Sequence, residues 1–93
     1  MNTALYEIPD EDAAFFEAIA ESARISPELV ERDEEHGLSV YRCPRAWVAP
    51  RVDYAGGRYR VIAVPTPKRR TGREGEPVHA VRVDSVGPIP GRG

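Results

Sequence analysis

Cysteine and long apolar runs are nearly absent from this 93-residue chain. The single cysteine, Cys43, excludes an internal disulfide and a cysteine-rich zinc site. No uninterrupted apolar stretch exceeds four residues, whereas a membrane-spanning helix needs about 20. Phosphate-binding glycine loops, nucleophile elbows and convergent carboxylate pairs are missing as well. We therefore expect no membrane span, no metal, no cofactor and no catalytic residue.

Length and composition predict a single small domain. The chain is 41% apolar and 30% charged, which is typical of a globular protein, and its length supports one core. We place this domain at residues 1–84, and we expect residues 85–93, rich in proline and glycine, to form a flexible tail. The first thirteen residues hold four acids and no base, unlike a secretory leader, so we expect a cytoplasmic location.

The small net charge of −2 hides a strong asymmetry. Residues 1–36 hold eleven acids and two arginines, net −9, and residues 37–93 hold four acids and eleven bases, net +7. The acidic half can neutralise the basic half within the fold, or the basic half can contact nucleic acid. Both interpretations remain open at this stage.

Two helices are predicted in the acidic half. Pro9 and Asp10 favour a helix start, and apolar residues at helical spacing predict an amphipathic helix from Glu11 to Arg24. Ser26 and Pro27 favour a second start, and Gly37 is typical of a helix end, which predicts a short helix from Pro27 to Glu35. Residues 11–35 then form an acidic helical hairpin.

From Leu38 onward the apolar residues follow the alternation that is typical of strands. Before the helices, Thr3–Ile8 also has residues suited to a short strand. Gly56 and Gly57 predict a two-residue hairpin turn between strands 46–54 and 58–64. In that register Tyr54 lies opposite Tyr59, Val52 opposite Val61 and Asp53 opposite Arg60. Pro50 favours an edge position for the first of these strands, with strand 78–84 on the far side of the second.

The predicted fold class is α+β, with two N-terminal helices packed on one face of a three- to four-stranded antiparallel sheet. Residues 65–77 contain proline, glycine and charge and predict a mobile basic loop within that sheet.

One face of the predicted hairpin carries an unusual set of side chains, and we take it as the candidate interaction face. It consists of Arg45, Trp47, Arg51, Asp53, Arg58, Arg60 and Ile62. Trp and Arg dominate binding hot spots, and an aromatic ring among arginines can also stack a nucleobase. A bulge at Pro44 or Pro50 would instead turn Trp47 into the core and leave the arginines as a solvated surface.

The predicted loop adds a second basic cluster, and its possible phosphate contacts are Lys68, Arg69, Arg70 and Arg73. The alternative is a solvated loop that Glu74 and Glu76 partly neutralise.

These patterns favour a non-enzymatic binding or regulatory protein that engages a protein partner, or a second copy of itself, through the interaction face and the edge strand. The alternative is a nucleic-acid-binding protein that uses the basic half. A third hypothesis is a small ribonuclease, because the predicted order of elements is similar in outline to that of messenger-RNA-cleaving toxins. Its candidate residues would be His79, Tyr41 and Arg82.

Overall fold

The computed structural model describes residues 2–45 and 51–88. A short 3-10 helix, Asp10–Asp12, leads into one α-helix, α1, at Ala13–Ser22. The strands are β1 (Thr3–Pro9), β2 (Glu28–Asp33), β3 (Leu38–Pro44), β4 (Arg51–Tyr54), β5 (Gly57–Thr66) and β6 (Val78–Pro88).

The strands form one six-stranded mixed sheet in the order β2-β3-β1-β6-β5-β4. The β1–β6 pair is parallel, and the other pairs are antiparallel. The predicted three- to four-stranded antiparallel sheet is therefore wrong. The main reason is β1, which lies at the centre of the sheet and buries Ala4, Leu5, Tyr6 and Ile8 against both of its faces. A short apolar run of this kind is typical of a strand that is covered on both sides.

The predicted second helix is also wrong, because Glu28–Asp33 forms the edge strand β2 and pairs with β3. The segment contains only two apolar residues, Leu29 and Val30, too few for a short helix to hold itself on the sheet. Pairing with β3 satisfies its backbone instead. Gly37, at φ +65°, lies in the turn between β2 and β3, where positive φ is as necessary as at a helix end.

Helix α1 covers the side of the sheet that we call the helix face. Phe16 is buried there, with its ring centroid 6.4 Å from Tyr6 and 5.2 Å from Tyr41. Phe15 packs edge-on against Tyr59 at 4.6 Å. The helix is shorter than predicted at both ends, and Asp10 does not cap it, because its carboxylate accepts a hydrogen bond from Ser39 Oγ at 2.8 Å.

The β4–β5 hairpin has a different register from the predicted one. Tyr54 pairs with Gly57, Asp53 with Arg58 and Arg51 with Arg60, so the turn is Ala55–Gly56. Both turn residues have positive φ, +51° and +82°. Position 57 also favours glycine, because a Cβ there would lie 3.1 Å from the Tyr59 hydroxyl, which would have to shift by a few tenths of an ångström. The register is displaced by two residues, so each side chain keeps its predicted face.

Replacement of Ala55 by asparagine tests this register. Ala55 adopts a left-handed conformation that disfavours a Cβ, whereas an Asn-Gly pair is well suited to such a turn. We expect Ala55→Asn to raise the free energy of unfolding by about 0.5–1 kcal/mol in urea titrations. A loss of stability would contradict the turn, since in the alternative register position 55 is extended and disfavours asparagine.

The strands also extend further than the sequence indicates. β5 continues to Thr66, and β6 continues to Pro88, past Asp84, where the predicted strand ends. Residues 85–88 of the predicted flexible tail therefore belong to a strand. On the side opposite the helix face, Leu5, Val40 and Val78 form a second buried cluster. We call this side the loop face, because residues 67–77 lie over part of it.

Candidate functional site

Residues 67–77, which we call the covering loop, contact the loop face through arginine–carboxylate clusters. Arg69 is the centre of the first cluster. Its Nη1 lies 2.8 Å from Glu31 and its Nη2 lies 2.8 Å from Asp33, while its Nε donates to Glu7. These carboxylates come from the turn-proximal part of β2 and from β1. The guanidinium of a predicted phosphate contact is thus already neutralised by three acids from the N-terminal half.

Glu76 is the centre of the second cluster and is completely buried. Arg42 of β3 donates to it twice, from Nε at 2.9 Å and from Nη2 at 3.2 Å. The Thr3 hydroxyl and the Arg73 backbone N–H also donate, at 2.6 Å and 3.0 Å. Burial by itself raises the pKa of Glu76, but these donors outweigh it and lower the pKa to about 2.

Two contacts show how the charged halves meet. Acids of β1 and β2 neutralise Arg69, and Glu28 of the acidic half lies 3.2 Å from Arg42, whereas Arg42 and Glu76 both belong to the basic half. The other three predicted phosphate contacts, Lys68, Arg70 and Arg73, have exposed side chains. The predicted mobility of the loop stays a prediction, but its contacts reach three strands of the sheet.

The low pKa values of two carboxylates in these clusters predict that the protein loses stability in acid. The hydrogen bond from Arg69, assisted by His36, lowers the pKa of Asp33 to about 2, close to that of Glu76 and below the ordinary values of 3.8 and 4.5. Folded carboxylates with depressed pKa values stabilise the protein above the unfolded pKa and lose that contribution as pH falls. We expect the contribution of these two carboxylates to the free energy of unfolding to be constant above about pH 5 and to be lost as pH falls between about pH 5 and 2.

Urea titrations at a series of pH values measure this fall, and the double variant Asp33→Asn/Glu76→Gln provides the comparison. Because the variant lacks both titrating groups, its stability should change less over the same interval, from a lower starting value at neutral pH. Parallel curves for the two proteins would contradict the assignment.

The covering loop leaves the loop-face side of β4, β5 and β6 uncovered by any described residue, and we call this surface the open face. Its side chains are Arg51, Asp53, Arg58, Arg60, Ile62, Val64, Ala80, Arg82 and Asp84. Arg58 binds Asp53 at 2.9 Å, and Arg82 binds Asp84 at 3.2 Å. The hydrogen bond from Arg58 lowers the pKa of Asp53.

Arg51 and Arg60 differ from the other arginines of the open face. They lie directly opposite each other across β4 and β5, and both are exposed. Within residues 2–45 and 51–88, neither forms an ion pair with a carboxylate, because Asp84, which lies opposite Arg60 on β6, is bound by Arg82 instead. Like charges opposite each other weaken a strand pair. An external carboxylate or phosphate at this position would relieve that repulsion.

An apolar strip lies beside these arginines. Val64 is 50% exposed, and it pairs across β5 and β6 with Ala80, while Ile62 pairs with Arg82. Together with Val81, these four residues line a shallow concavity of about 390 Å³. The open face therefore combines half-exposed apolar surface with an excess of positive charge, since four arginines accompany two aspartates.

The structure brings together five of the seven predicted interaction residues: Arg51, Asp53, Arg58, Arg60 and Ile62. Arg45 does not join them, because its guanidinium donates to Thr3 O and to Gly75 O beside the covering loop. Trp47 lies outside the described residues, so both alternatives for it stand.

The predicted interaction face does not include Val64 or three residues of β6 that belong to the open face: Ala80, Arg82 and Asp84. The signal was present in the alternation of both strands, Ile62 with Val64 and Ala80 with Arg82. The pairing of the two strands, which the sequence left without a register, decides that these residues share one surface.

The residues considered for ribonuclease chemistry are not brought together. Tyr41 is buried on the helix face, and His79 stacks on Tyr6 on that same side with a ring-centroid distance of 5.6 Å. Arg82 projects from the opposite face of the sheet. Among the described side chains, no group of three His, Cys, Asp or Glu residues is placed to hold a metal ion.

None of the helical residues described forms a segment long and apolar enough to cross a membrane. Comparisons with family models, curated proteins and solved structures give no match. The geometry and charge of the open face are therefore the basis from which a function can be inferred.

Proposed function

We propose that this protein is a non-enzymatic binding protein that engages an acidic protein partner through the open face. One observation carries the proposal: the exposed pair Arg51 and Arg60, without carboxylate partners among the described residues, lies beside the half-exposed strip of Ile62 and Val64. Arginines next to apolar surface are typical of protein-binding sites, where the apolar part supplies affinity and the charges supply specificity.

The same surface supports a nucleic-acid partner less well. The described tyrosines of the hairpin, Tyr54 and Tyr59, point to the helix face and pack on Phe15, so they offer no stacking platform on the open face. The most basic part of the covering loop also loses Arg69 to internal carboxylates. We also propose a cytoplasmic location, because a single buried cysteine is compatible with a reducing compartment.

Two labelled probes of equal negative charge separate the candidates. One is a short peptide in which valine and glutamate alternate, and the other is a single-stranded oligonucleotide. We expect fluorescence anisotropy to show tighter binding of the peptide, with part of its affinity retained at high salt because apolar contacts are not screened. Arg60→Glu should weaken peptide binding about tenfold, equivalent to about 1.4 kcal/mol.

The matched control is Arg70→Glu, which makes the same charge change on an exposed residue of the covering loop. It should change peptide affinity far less than Arg60→Glu. Tighter binding of the oligonucleotide, lost on Arg70→Glu and steeply reduced by salt, would replace the proposal with nucleic-acid binding. Failure of the peptide to bind would reject it.

A further inference from the structure

The backbone and side chains at the outer edge of β4 indicate which kind of partner segment can bind there. Of the described strands, β4 is the last in the sheet, with β5 as its neighbour on one side. In a hairpin closed by a two-residue turn, the flanking pair exchanges backbone hydrogen bonds, and such pairs alternate along the ladder. Tyr54 and Val52 therefore bond to β5, while the N–H and C=O groups of Arg51 and Asp53 point away from it.

The side chains of β4 also differ between the two faces of the sheet. On the open face, Arg51 is exposed and adjoins Arg60, whereas Asp53 is neutralised by Arg58. On the helix face, Val52 packs against the core, and Tyr54 is 37% exposed beside Phe15. The β4 edge therefore presents the charge of Arg51, which has no described carboxylate partner, on the open face, and the side chains of Val52 and Tyr54 on the helix face.

We propose that β4 accepts an extended segment of the partner as an additional strand, and that this segment alternates acidic and apolar residues. This inference rests on the proposed function and names the partner's chemistry at the same site. An acidic residue beside Arg51 neutralises the Arg51–Arg60 pair, and its apolar neighbours meet Val52 and Tyr54 on the other face. Because side chains alternate along a strand, one extended segment satisfies both faces at once.

An antiparallel addition makes a stereochemical prediction. The residue opposite Arg51 then exchanges backbone hydrogen bonds with it, and the side chains of these two residues share the open face. In the alternating valine–glutamate peptide, that residue is glutamate. The glutamate amides therefore face β4, and the valine amides face solvent.

Backbone methylation of the peptide tests this arrangement, because it removes amide donors without changing charge or composition. We expect methylation of the glutamate amides to weaken binding at least tenfold, and methylation of the valine amides to leave affinity within about twofold. Arg51→Glu in the full chain should weaken the unmodified peptide about tenfold as well. The reverse methylation pattern supports a parallel added strand.

Three outcomes overturn the inference. Binding that is sensitive to Arg60→Glu but indifferent to both methylations leaves the proposed function standing and rejects strand addition. Equal loss with both methylated peptides rejects it too, because a solvent-facing amide should not matter. Sedimentation of the protein alone provides the last outcome: a dimer that Arg51→Glu dissociates assigns the β4 edge to a second copy of the chain.

Discussion

Replacement of Glu76 by alanine is expected to lower the free energy of unfolding by about 3–5 kcal/mol in urea titrations, one of the largest effects of any substitution in this chain. The variant leaves Arg42, whose side chain is only 11% exposed, without its buried bidentate partner, so that only the exposed Glu28 at 3.2 Å remains as an ion-pair partner. It also removes the acceptor for the Thr3 hydroxyl and the Arg73 backbone N–H. A mostly buried charge that loses its best-placed partner keeps most of its desolvation cost, and the exposed Glu28 offsets only part of it.

A matched control and a second variant separate the ion pair from general damage to the loop. Glu74→Ala, an exposed carboxylate of the same loop, should change stability by less than about 0.5 kcal/mol. The double variant Arg42→Met/Glu76→Leu should lose less stability than Glu76→Ala, because it leaves no unpaired charge. Equal and small losses for Glu74 and Glu76 would mean that the covering loop does not dock as described.

The second large effect is expected at Leu5, and a second leucine provides its control. Leu5 of β1 is fully buried in a cluster with Val40 and Val78. Gly72 of the covering loop packs on it so closely that a Cβ at position 72 would be 3.4 Å from Leu5 Cδ1. Leu5→Ala should lower the free energy of unfolding by about 2–5 kcal/mol. Leu29→Ala, at a position 47% exposed on the edge strand β2, should cost less than about 1 kcal/mol.

This pair of variants also tests the fold. In the predicted helical hairpin, Leu29 is one of two apolar residues that hold the second helix on the sheet, so its truncation would cost more than that of Leu5. In the six-stranded sheet, the order is reversed because β1 is central and β2 is an edge. A larger loss at Leu29 than at Leu5 in the same urea titration would contradict the sheet topology.

Local signals predicted the parts of the fold that depend on neighbouring residues. The amphipathic spacing around Phe16 predicted α1, and Gly56 and Gly57 predicted a hairpin, although its turn is Ala55–Gly56. The faces of β4 and β5 were predicted correctly although the register was wrong, since a displacement of two residues keeps the side-chain alternation. Among the described strands, β4 is the last of the sheet and β6 lies on the far side of β5, as predicted, while Pro50, on which the edge prediction depended, lies outside the described residues.

Long-range pairing was beyond these signals. β1 pairs in parallel with β6, more than seventy residues away, and no local pattern encodes that choice. Ser26, Pro27 and Gly37 fit the ends of a helix as well as the ends of the strand and turn that form instead. The pairing of β2 with β3 decided between them, as tertiary contacts often override weak propensity.

The candidate site was predicted only in part, because it too depends on long-range pairing. The charge asymmetry left internal neutralisation and nucleic-acid contact both open, and the Arg69 cluster is an instance of the former. The sequence could not show that Arg69 is consumed internally while Arg51 and Arg60 have no described carboxylate, because that depends on where the covering loop docks. The β6 residues of the open face likewise follow from a strand register that forms only in the sheet.

The most direct test of the central claim is a nuclear magnetic resonance titration of the isotope-labelled full chain with the alternating valine–glutamate peptide. Binding at the open face predicts backbone shift changes confined to residues 51–54, 58–64 and 80–84, with the largest near Arg51 and Arg60. Changes concentrated in residues 67–73 or in α1, or no changes at all, would contradict the assignment of the open face as the binding surface.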